Sequence, residues 1–503
     1  MCLQGLDGLQ ISVEADVSDG LPGYSFVGYL ASEVREAQDR VRTAIKNLGL
    51  SLPPKKITIN LSPADIRKEG TGYDLGIAVA ILMAYGVFLP DLTEEAVFIG
   101  ELGLDGKVKG IPGVLALTSW ARQFGFSKLF LPKENVKEAS VINGISLIGV
   151  SSLQEVVLML QGNQPMEQYE RKGDFFDADS LNHYDVDFSE INGQTVLRRA
   201  AEVAAAGMHN LLMIGPAGSG KTMIAKRMPT ILPKLELSES IEISKIYSIA
   251  NGLSEKEPLI TNRPFRAPHH TISAQALVGG GTRPKPGEVS LATGGILFLD
   301  ELPEMRASVE GLREVLEERK ITISRVHGTV CYPANLQLVS AMNPCHCGFY
   351  PDLDRCTCTS GQIKRYLSKV SRPFLDRIDI CVEAAAVSFA EMTEKRENES
   401  SEEIRRRVER ARNIQARRFD GLPIRCNSEM SGKQVREFCI INNEESRFMK
   451  KVFEEMGLSA RMYDKILKVA RTTADLEERP EIEHKDLCEA ISYVRVRDKY
   501  WKN

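Results

Sequence analysis

A short glycine-rich segment constrains this chain more than any other part of its sequence. Residues 215–222 fit the pattern G-x-x-x-x-G-K-[ST], and they lie between a strand-like apolar run and a helix-like segment. In such a loop the glycines let backbone amides turn toward phosphate oxygens without a Cβ clash, and the helix N-terminus adds partial positive charge. The predicted nucleotide-binding residues are Gly215, Pro216, Ala217, Gly218, Ser219, Gly220, Lys221 and Thr222.

Two later apolar segments end in polar side chains suited to an ATPase site. Asp300 and Glu301 follow one segment, and Asn343 follows the other. We expect Lys221 to reach the β- and γ-phosphates, and Thr222 and Asp300 to hold Mg²⁺. Glu301 is suited to polarise the attacking water, because hydrolysis needs a base within hydrogen-bond reach, and Asn343 to contact the γ-phosphate. The glycine pattern alone could be accidental, but these strand ends together predict an ATPase core.

Length and composition limit the number of domains and the class of protein that this chain can form. The chain has 503 residues, enough for roughly three domains. Its hydrophobic and charged fractions, 43% and 26%, are typical of globular proteins in water, and its net charge of −4 means that any DNA contact must come from local basic patches. Neither a secretion signal nor a membrane span is predicted, so we expect a cytoplasmic protein without a membrane partner.

The hydrophobic patterns divide the chain into an α/β multidomain protein. Residues 1–160 combine short alternating strands with helices and predict an α+β domain. Residues 161–187 are polar and acidic and are predicted to be a linker. We assign the ATPase core to residues 188–390 and a helical lid to residues 391–503.

Two basic segments are candidates for DNA contact. The stretch 263–287, which includes Arg266, is rich in turn formers and is predicted to be a mobile loop that faces a central pore. Residues 321–332 alternate around a predicted turn and indicate a β-hairpin, with Arg325 and His327 near its tip. These side chains are suited to contact a nucleic-acid backbone. An ordinary solvated hairpin is the alternative.

Four cysteines lie in two close pairs, namely Cys345 with Cys347 and Cys356 with Cys358. Two thiolate pairs across a short loop are what a tetrahedral structural Zn²⁺ site requires. The C-x-C spacing is tighter than the commoner C-x-x-C, and unmetallated thiols or a redox role are the alternatives.

Two arginines are candidates for contact with the nucleotide. Arg377 lies between two acids, just before a predicted strand, and is suited to act as an arginine finger on the ATP of a neighbouring subunit. A salt bridge to Asp376 or Asp379 within the chain is the alternative. Arg461, near a predicted helix start, is a candidate second sensor for the γ-phosphate of its own subunit.

Two segments of the N-terminal region, 68–75 and 100–108, resemble the C-terminal domain of Lon-type proteases. Those proteases use a serine nucleophile and a lysine. In this chain Gly72 stands at the serine position, and the predicted helix 114–121 contains no lysine. Because a Ser-Lys mechanism needs both groups, we expect a degenerate Lon-like domain without proteolytic activity.

Taken together, these motifs resemble the magnesium-chelatase-like AAA+ ATPases of the ComM/YifB type. The resemblance implies a ribosomal S5 domain 2-like N-terminal domain, a P-loop AAA+ core with a parallel sheet, and a C-terminal helical lid. By the same resemblance, Gly193 and Gln194 lie near the adenine, although a plain helix start is equally compatible with them.

The implied function is that of a hexameric ring that hydrolyses ATP to move branched or single-stranded DNA. Some members are branch-migration helicases in homologous recombination and natural transformation. One alternative is a motor subunit for Mg²⁺ insertion into a porphyrin, which we expect to lack the Lon-like domain. Another is a non-proteolytic scaffold or regulator whose Lon-like domain binds protein.

Overall fold

The computed structural model describes the chain except for residues 51, 170–183, 255–256, 282–283, 306, 326–327, 386–397 and 502–503. The predicted linker is therefore described only at its two ends, where Tyr169 donates its N–H to the carbonyl of Leu147 and Asp187 accepts from the backbone N–H of Ser401. Among the described residues, no helix has both the length and the apolar composition needed to cross a bilayer.

The N-terminal region is a mixed α/β unit, as its patterns predict. Its strands are β1 (Cys2–Gln4), β2 (Asp7–Leu9), β3 (Ser12–Ser18), β4 (Gly23–Val27), β5 (Lys56–Ser62), β6 (Ala96–Phe98), β7 (Glu101–Leu102), β8 (Val108–Lys109), β9 (Lys128–Pro132) and β10 (Ser146–Val150). Its helices are α1 (Ser32–Asn47), α2 (Asp74–Ala84), α3 (Val114–Gln123), α4 (Val136–Ala139) and α5 (Leu153–Leu160). Strands β3, β5 and β4 form one sheet, and β10, β9 and β6 form a second, parallel one.

The central region has an α/β architecture. Its strands are β11 (Leu211–Ile214), β12 (Phe265–Arg266), β13 (Gly279–Gly280), β14 (Lys285–Pro286), β15 (Ile296–Leu299), β16 (Lys320–Arg325), β17 (Gly328–Pro333), β18 (Gln337–Met342) and β19 (Ile380–Glu383). Its helices are α6 (Thr195–Gly207), α7 (Lys221–Ile231), α8 (Leu237–Ile249), α9 (Ala274–Val278), α10 (Glu288–Leu291), α11 (Ala307–Glu310), α12 (Leu312–Glu318), α13 (Ser360–Leu367) and α14 (Arg372–Leu375).

A parallel sheet organises this region, with the strand order β12-β15-β18-β11-β19 among the described residues. Its two faces belong to different hydrophobic clusters. Along β11, Leu211 and Met213 pack into one cluster and Leu212 and Ile214 into the other. Because both faces are covered, the strands are continuous apolar runs rather than alternating ones. The carboxyl ends of the strands meet at one edge and bring the polar residues that follow them together.

The C-terminal region is helical. Its helices are α15 (Ser401–Arg418), α16 (Gly432–Phe438), α17 (Asn443–Met456), α18 (Ala460–Leu476) and α19 (His484–Trp501). At their centre, buried Asp475 accepts hydrogen bonds from Arg418 at 2.7 Å and from Arg471 at 3.1 Å. The charge-assisted bond from Arg418 fixes α18 against α15, and the bond from Arg471 lies within α18.

The basic stretch 263–287 is more ordered than the predicted loop. Its described residues form β12, α9 and the two-stranded ribbon β13–β14. The predicted hairpin is confirmed as β16–β17, in which Arg325 pairs with Gly328. The ribbon packs against this hairpin, because the Tyr332 hydroxyl donates to the carbonyl of Pro284 at 2.9 Å.

Candidate active site

The phosphate-binding loop joins the end of β11 to the start of α7. Gly218 and Gly220 have φ values of 77° and 82°, in the left-handed region that favours glycine. Gly215 is required for another reason, since a Cβ at this position would lie 2.4 Å from the carbonyl oxygen of Ala384, next to β19. Close packing against the neighbouring strand and the local turn therefore both depend on glycine.

Lys221 lies inside this loop. Its ammonium donates to the carbonyls of Gly215 at 2.8 Å and Pro216 at 2.7 Å, and its Nζ lies 3.5 Å from Oδ1 of Asn343. Burial lowers the pKa of the Lys221 ammonium from its ordinary value, and the negative charge of Asp300 opposes this shift. The structure thus brings the predicted lysine and the predicted asparagine together.

Thr222 and Asp300 also meet, as a shared Mg²⁺ site requires. The hydroxyl of Thr222 donates to Oδ2 of Asp300 at 2.9 Å. A hydroxyl and a carboxylate at this distance are hard oxygen donors that fit Mg²⁺. Asp300 also accepts the backbone N–H of Glu301 at 2.9 Å through its other oxygen, which fixes the turn after β15.

Glu301 has an unusual conformation and an unexpected partner. Its φ is +51°, in the left-handed region that non-glycine residues seldom adopt. Its Oε2 lies 2.9 Å from Nδ1 of His270. The local sequence patterns do not predict this pair. Arg266 and Leu297 are paired in the parallel strands β12 and β15, and His270 and Glu301 each follow four residues later, so strand register was the missing signal.

Gly193 and Gln194 lie beside the start of the phosphate loop. Both have a positive φ, and the Gln194 side chain donates to the carbonyl of Ala385 at 2.7 Å. Ala384 is the residue that packs against Gly215. This position is compatible with the predicted adenine contact, which stays a prediction.

Arg377 and Arg461 lie next to the same acidic residue, Glu317. Arg377 forms an ion pair with Glu317 at the end of α12, and Arg461 lies 4.0 Å from the same carboxylate. The partner of Arg377 is therefore neither Asp376 nor Asp379, the two acids considered from the sequence. Asp376 instead pairs with Arg497 at 3.5 Å. The roles of both arginines in ATP hydrolysis stay predictions.

The candidate DNA-contacting residues have different surroundings. Arg325 is exposed and donates to the carbonyl of Gly281 at 3.3 Å, so it links the hairpin to the ribbon. Arg266 is held by Glu288 through two hydrogen bonds of 2.6 and 2.8 Å and lies on the edge strand β12. His327 lies outside the described residues.

The four cysteines converge as the sequence predicts. Their Sγ atoms, from Cys345, Cys347, Cys356 and Cys358, all lie within 4.8 Å of one another. A backbone N–H donated from Phe349 lowers the pKa of the Cys347 thiol to about 5, so this residue favours the thiolate that metals bind. The pKa of Cys356 is raised to about 12 and that of Cys358 is also raised, because interactions with Cys345 and Cys347 outweigh the backbone N–H groups that these thiols accept. His346 is not part of the cluster, because its ring packs on Tyr366 with centroids 4.6 Å apart.

A parallel sheet with a phosphate loop, a Thr-Asp pair and an asparagine at its strand ends defines an AAA+-like domain of the magnesium-chelatase type. Residues 187–392 match the family described as magnesium chelatase, subunit ChlI. Residues 13–135 match subunit ChlI of Mg-chelatase, and residues 398–494 match the C-terminal region of magnesium chelatase subunit ChlI.

Two full-length relatives identify the family of this chain more specifically. YifB of Escherichia coli (strain K12) is 40% identical over 494 residues, which are 98% of this chain and 95% of the relative. Competence protein ComM of Haemophilus influenzae is 39% identical over 503 residues, which cover 98% of this chain and 97% of the relative. The chain therefore belongs to the ComM/YifB family of magnesium-chelatase-like proteins.

The similarity to Lon proteases is partial. Lon protease 2 of Bacillus subtilis is 31% identical over 138 residues, which are 27% of this chain and 24% of the protease.

Membership of the Mg-chelatase AAA+ family indicates an ATP-driven protein that binds nucleotide and Mg²⁺.

Proposed function

We propose that the chain hydrolyses ATP as a subunit of a hexameric ring that moves DNA, as a branch-migration helicase in homologous recombination or natural transformation. The observation that carries the ATPase part is the convergence of Lys221, Thr222, Asp300 and Asn343 at the strand ends. Thr222 and Asp300 would hold Mg²⁺, which when bound neutralises charge on the phosphate oxygens. Glu301 would accept the proton of the attacking water.

The position of Arg377 supports the ring. Among the described residues its ion pair is with Glu317 and not with Lys221 or Asp300 of the same chain. An arginine finger completes the site of a neighbouring subunit when it is presented across an interface. We therefore assign Arg377 to the neighbour's ATP. For Arg461, at the start of α18, we keep the role that the sequence suggests, a second sensor for the ATP of its own subunit.

DNA is the proposed substrate because two basic elements, the hairpin β16–β17 and the ribbon β13–β14, are in contact with each other. Arg325 joins the hairpin β16–β17 to the ribbon β13–β14 through the carbonyl of Gly281. A ring would place such linked elements where a nucleic-acid backbone passes, and arginines there would bind phosphates independently of sequence. The relative from Haemophilus influenzae is named a competence protein, which agrees with this role.

A motor subunit of a magnesium chelatase is the second candidate. The sequence sets the Lon-like domain and the cysteine loop against it, yet residues 13–135 match a family described as subunit ChlI of Mg-chelatase. The N-terminal domain therefore does not separate the two functions. A scaffold that assembles without moving a substrate is the third candidate.

The deciding experiment measures ATP turnover alone, with single-stranded DNA and with a four-way junction, at stated salt because phosphate contacts are salt-sensitive. The Glu301→Gln variant serves as the blank. Stimulation of turnover together with movement of the junction supports the DNA motor. Neither stimulation nor DNA binding at low salt contradicts it and directs attention to protein partners.

Zinc is the third proposed cofactor beside ATP and Mg²⁺. The four thiols offer the soft donor set that a structural zinc site uses. One bound zinc would replace the hydrophobic core that a short loop of this composition cannot form for itself.

A further inference from the structure

The spacing of the cysteine sulfurs is that of metal ligands and not that of disulfides. Sγ of Cys345 lies 3.3 Å from that of Cys347 and 3.8 Å from that of Cys356, and the latter two are 3.5 Å apart. A disulfide requires about 2.05 Å. Tetrahedral zinc with bonds of about 2.3 Å places its sulfur ligands about 3.8 Å apart. The cluster therefore fits a zinc ion with small shifts of the side chains.

The loop that carries these cysteines lies against the phosphate loop. A Cβ on Gly348 would lie 3.8 Å from Cα of Pro216 and 3.9 Å from the backbone N of Ala217. Two positions before Cys345, Asn343 approaches Lys221, with 3.5 Å between the amide oxygen and Nζ. Residues 343–348 thus lie beside the phosphate loop, with Gly348 next to its backbone and Asn343 within 3.5 Å of its lysine.

The cysteine loop has little regular structure of its own. Cys345 follows the end of β18 by three residues and is fully buried, and Cys358 precedes the start of α13 by two. No helix or strand is assigned to the described residues 343–359 between these two elements. A bond from each of four sulfurs to one ion would cross-link both ends of this segment and remove much of its conformational freedom.

We infer that a soft divalent metal held by the four cysteines fixes the segment 343–348 against the phosphate loop, so that metal occupancy sets the affinity for nucleotide. This inference rests on the proposed nucleotide and zinc sites and adds a coupling between them. Without the metal, Gly348 is no longer held next to Pro216 and Ala217, and Asn343 no longer has a fixed position beside Lys221. The backbone amides of the phosphate loop then lose part of their preorganisation for phosphate.

The test uses the full-length protein with Cys356→Ser, Cys356→His and Cys488→Ser. Zinc is counted per chain by elemental analysis, and affinity is measured with a fluorescent ADP analogue and Mg²⁺. We expect about one zinc per wild-type chain. Cys356→Ser should lose it and bind nucleotide at least about fivefold more weakly, the change expected for one lost hydrogen bond. Cys356→His should retain both zinc and affinity.

Cys488→Ser is the matched control, because Cys488 is exposed on α19 and outside the cluster. It should change neither quantity. If Cys356→Ser does not fold, zinc is stripped from folded wild-type protein with a chelator and then restored, and affinity should fall and recover accordingly.

The outcomes separate the inference from the proposals beneath it. A zinc-free protein that binds the ADP analogue as tightly as wild type overturns the coupling and leaves the zinc site standing. Wild-type protein that contains no zinc overturns the metal site and the coupling with it. Zinc-loaded wild type that fails to bind nucleotide contradicts the proposed ATPase.

Discussion

Nδ1 of His270 lies 2.9 Å from Oε2 of Glu301 and draws this carboxylate toward the edge of the sheet that is farther from the phosphate loop. In the strand order, β12 lies on one side of β15, whereas β18 and β11 lie on the other. His270 follows β12, and the phosphate loop follows β11. The adjacent Asp300 bonds Thr222 on the phosphate-loop side. Two consecutive acids thus have partners on opposite sides of one strand end.

We predict that His270→Ala raises ATP turnover without DNA by about fivefold, the rate change for roughly 1 kcal/mol released with one hydrogen bond. The KM for ATP should stay unchanged, because the described contacts of His270 are with Glu301 and with the ring of His269, and not with Lys221 or Thr222. Steady-state kinetics with and without DNA would show a smaller stimulation in the variant.

His269→Ala is the control for this experiment. Its Nδ1 lies 2.9 Å from the hydroxyl of Thr271, and its ring packs on that of His270 with centroids 4.1 Å apart, so this variant removes the packing on His270 and leaves the imidazole that contacts Glu301. A lower turnover in His270→Ala, both with and without DNA, would show instead that the contact orients Glu301 for catalysis.

The roles of Lys221 and Glu301 predict different defects. Lys221→Ala should weaken nucleotide binding, because it removes the ammonium that lies within the loop. Glu301→Gln should bind nucleotide normally and lose turnover by about 10²–10⁴-fold, the usual contribution of a general base. Equilibrium binding and steady-state hydrolysis measured on both variants separate these effects. Normal hydrolysis by Glu301→Gln would remove the base assignment.

Arg377 and Arg461 should differ when subunits are mixed. Arg377→Ala should reduce turnover by about 10³-fold or more if the arginine serves a neighbour's site. Mixing it with Lys221→Ala protein should restore part of the activity, since an Arg377→Ala subunit with an intact phosphate loop then has a neighbour with an intact Arg377.

Arg461→Ala is the matched comparison, because Arg461 shares Glu317 with Arg377 but is assigned to its own subunit's ATP. It should not be rescued by Lys221→Ala. Rescue of both variants, or of neither, in assembled mixed rings would contradict the assignment.

Asp379 predicts a pH-dependent contribution to stability. Burial favours its protonated form, but Lys465 and His209 outweigh burial and hold the pKa of this carboxyl well below its usual range. Oδ1 of Asp379 lies 3.5 Å from Nζ of Lys465, on α18, and its Oδ2 accepts the N–H of Asn210 at 3.0 Å. It therefore ties the helical region to the parallel sheet.

Because the folded-state pKa is lowered, this contribution is present above the unfolded pKa of about 3.9 and is lost as the pH falls below it. Asp379→Asn should cost about 1–3 kcal/mol of unfolding free energy at neutral pH, and the difference from wild type should shrink on acidification. Denaturant unfolding from pH 7 to pH 3, with Asp376→Asn as the control, measures this. A constant difference across the range would contradict the prediction.

The structural features that the sequence predicts correctly depend on residues that are close together in the chain. The turn of the phosphate loop needs glycines at closely spaced positions, and the hairpin β16–β17 needs alternating residues on two adjacent strands, so both patterns lie within short stretches of sequence. The cysteine cluster was also predictable, because thiols that are close in sequence need only one folded loop to meet.

The pairs His270 with Glu301, Arg377 with Glu317, and Gly348 with the phosphate loop could not be predicted in this way. Each joins residues that are distant in sequence, and their distances depend on the strand order and on the register of parallel strands. The stretch 263–287 was predicted to be a loop because its composition favours turns, yet strand β12 is held by pairing with β15. The phosphate loop, the strand-end acids and the cysteine pairs are readable from the chain because each motif is local. Which of these groups contact one another depends on long-range packing, and this is visible only in the folded molecule.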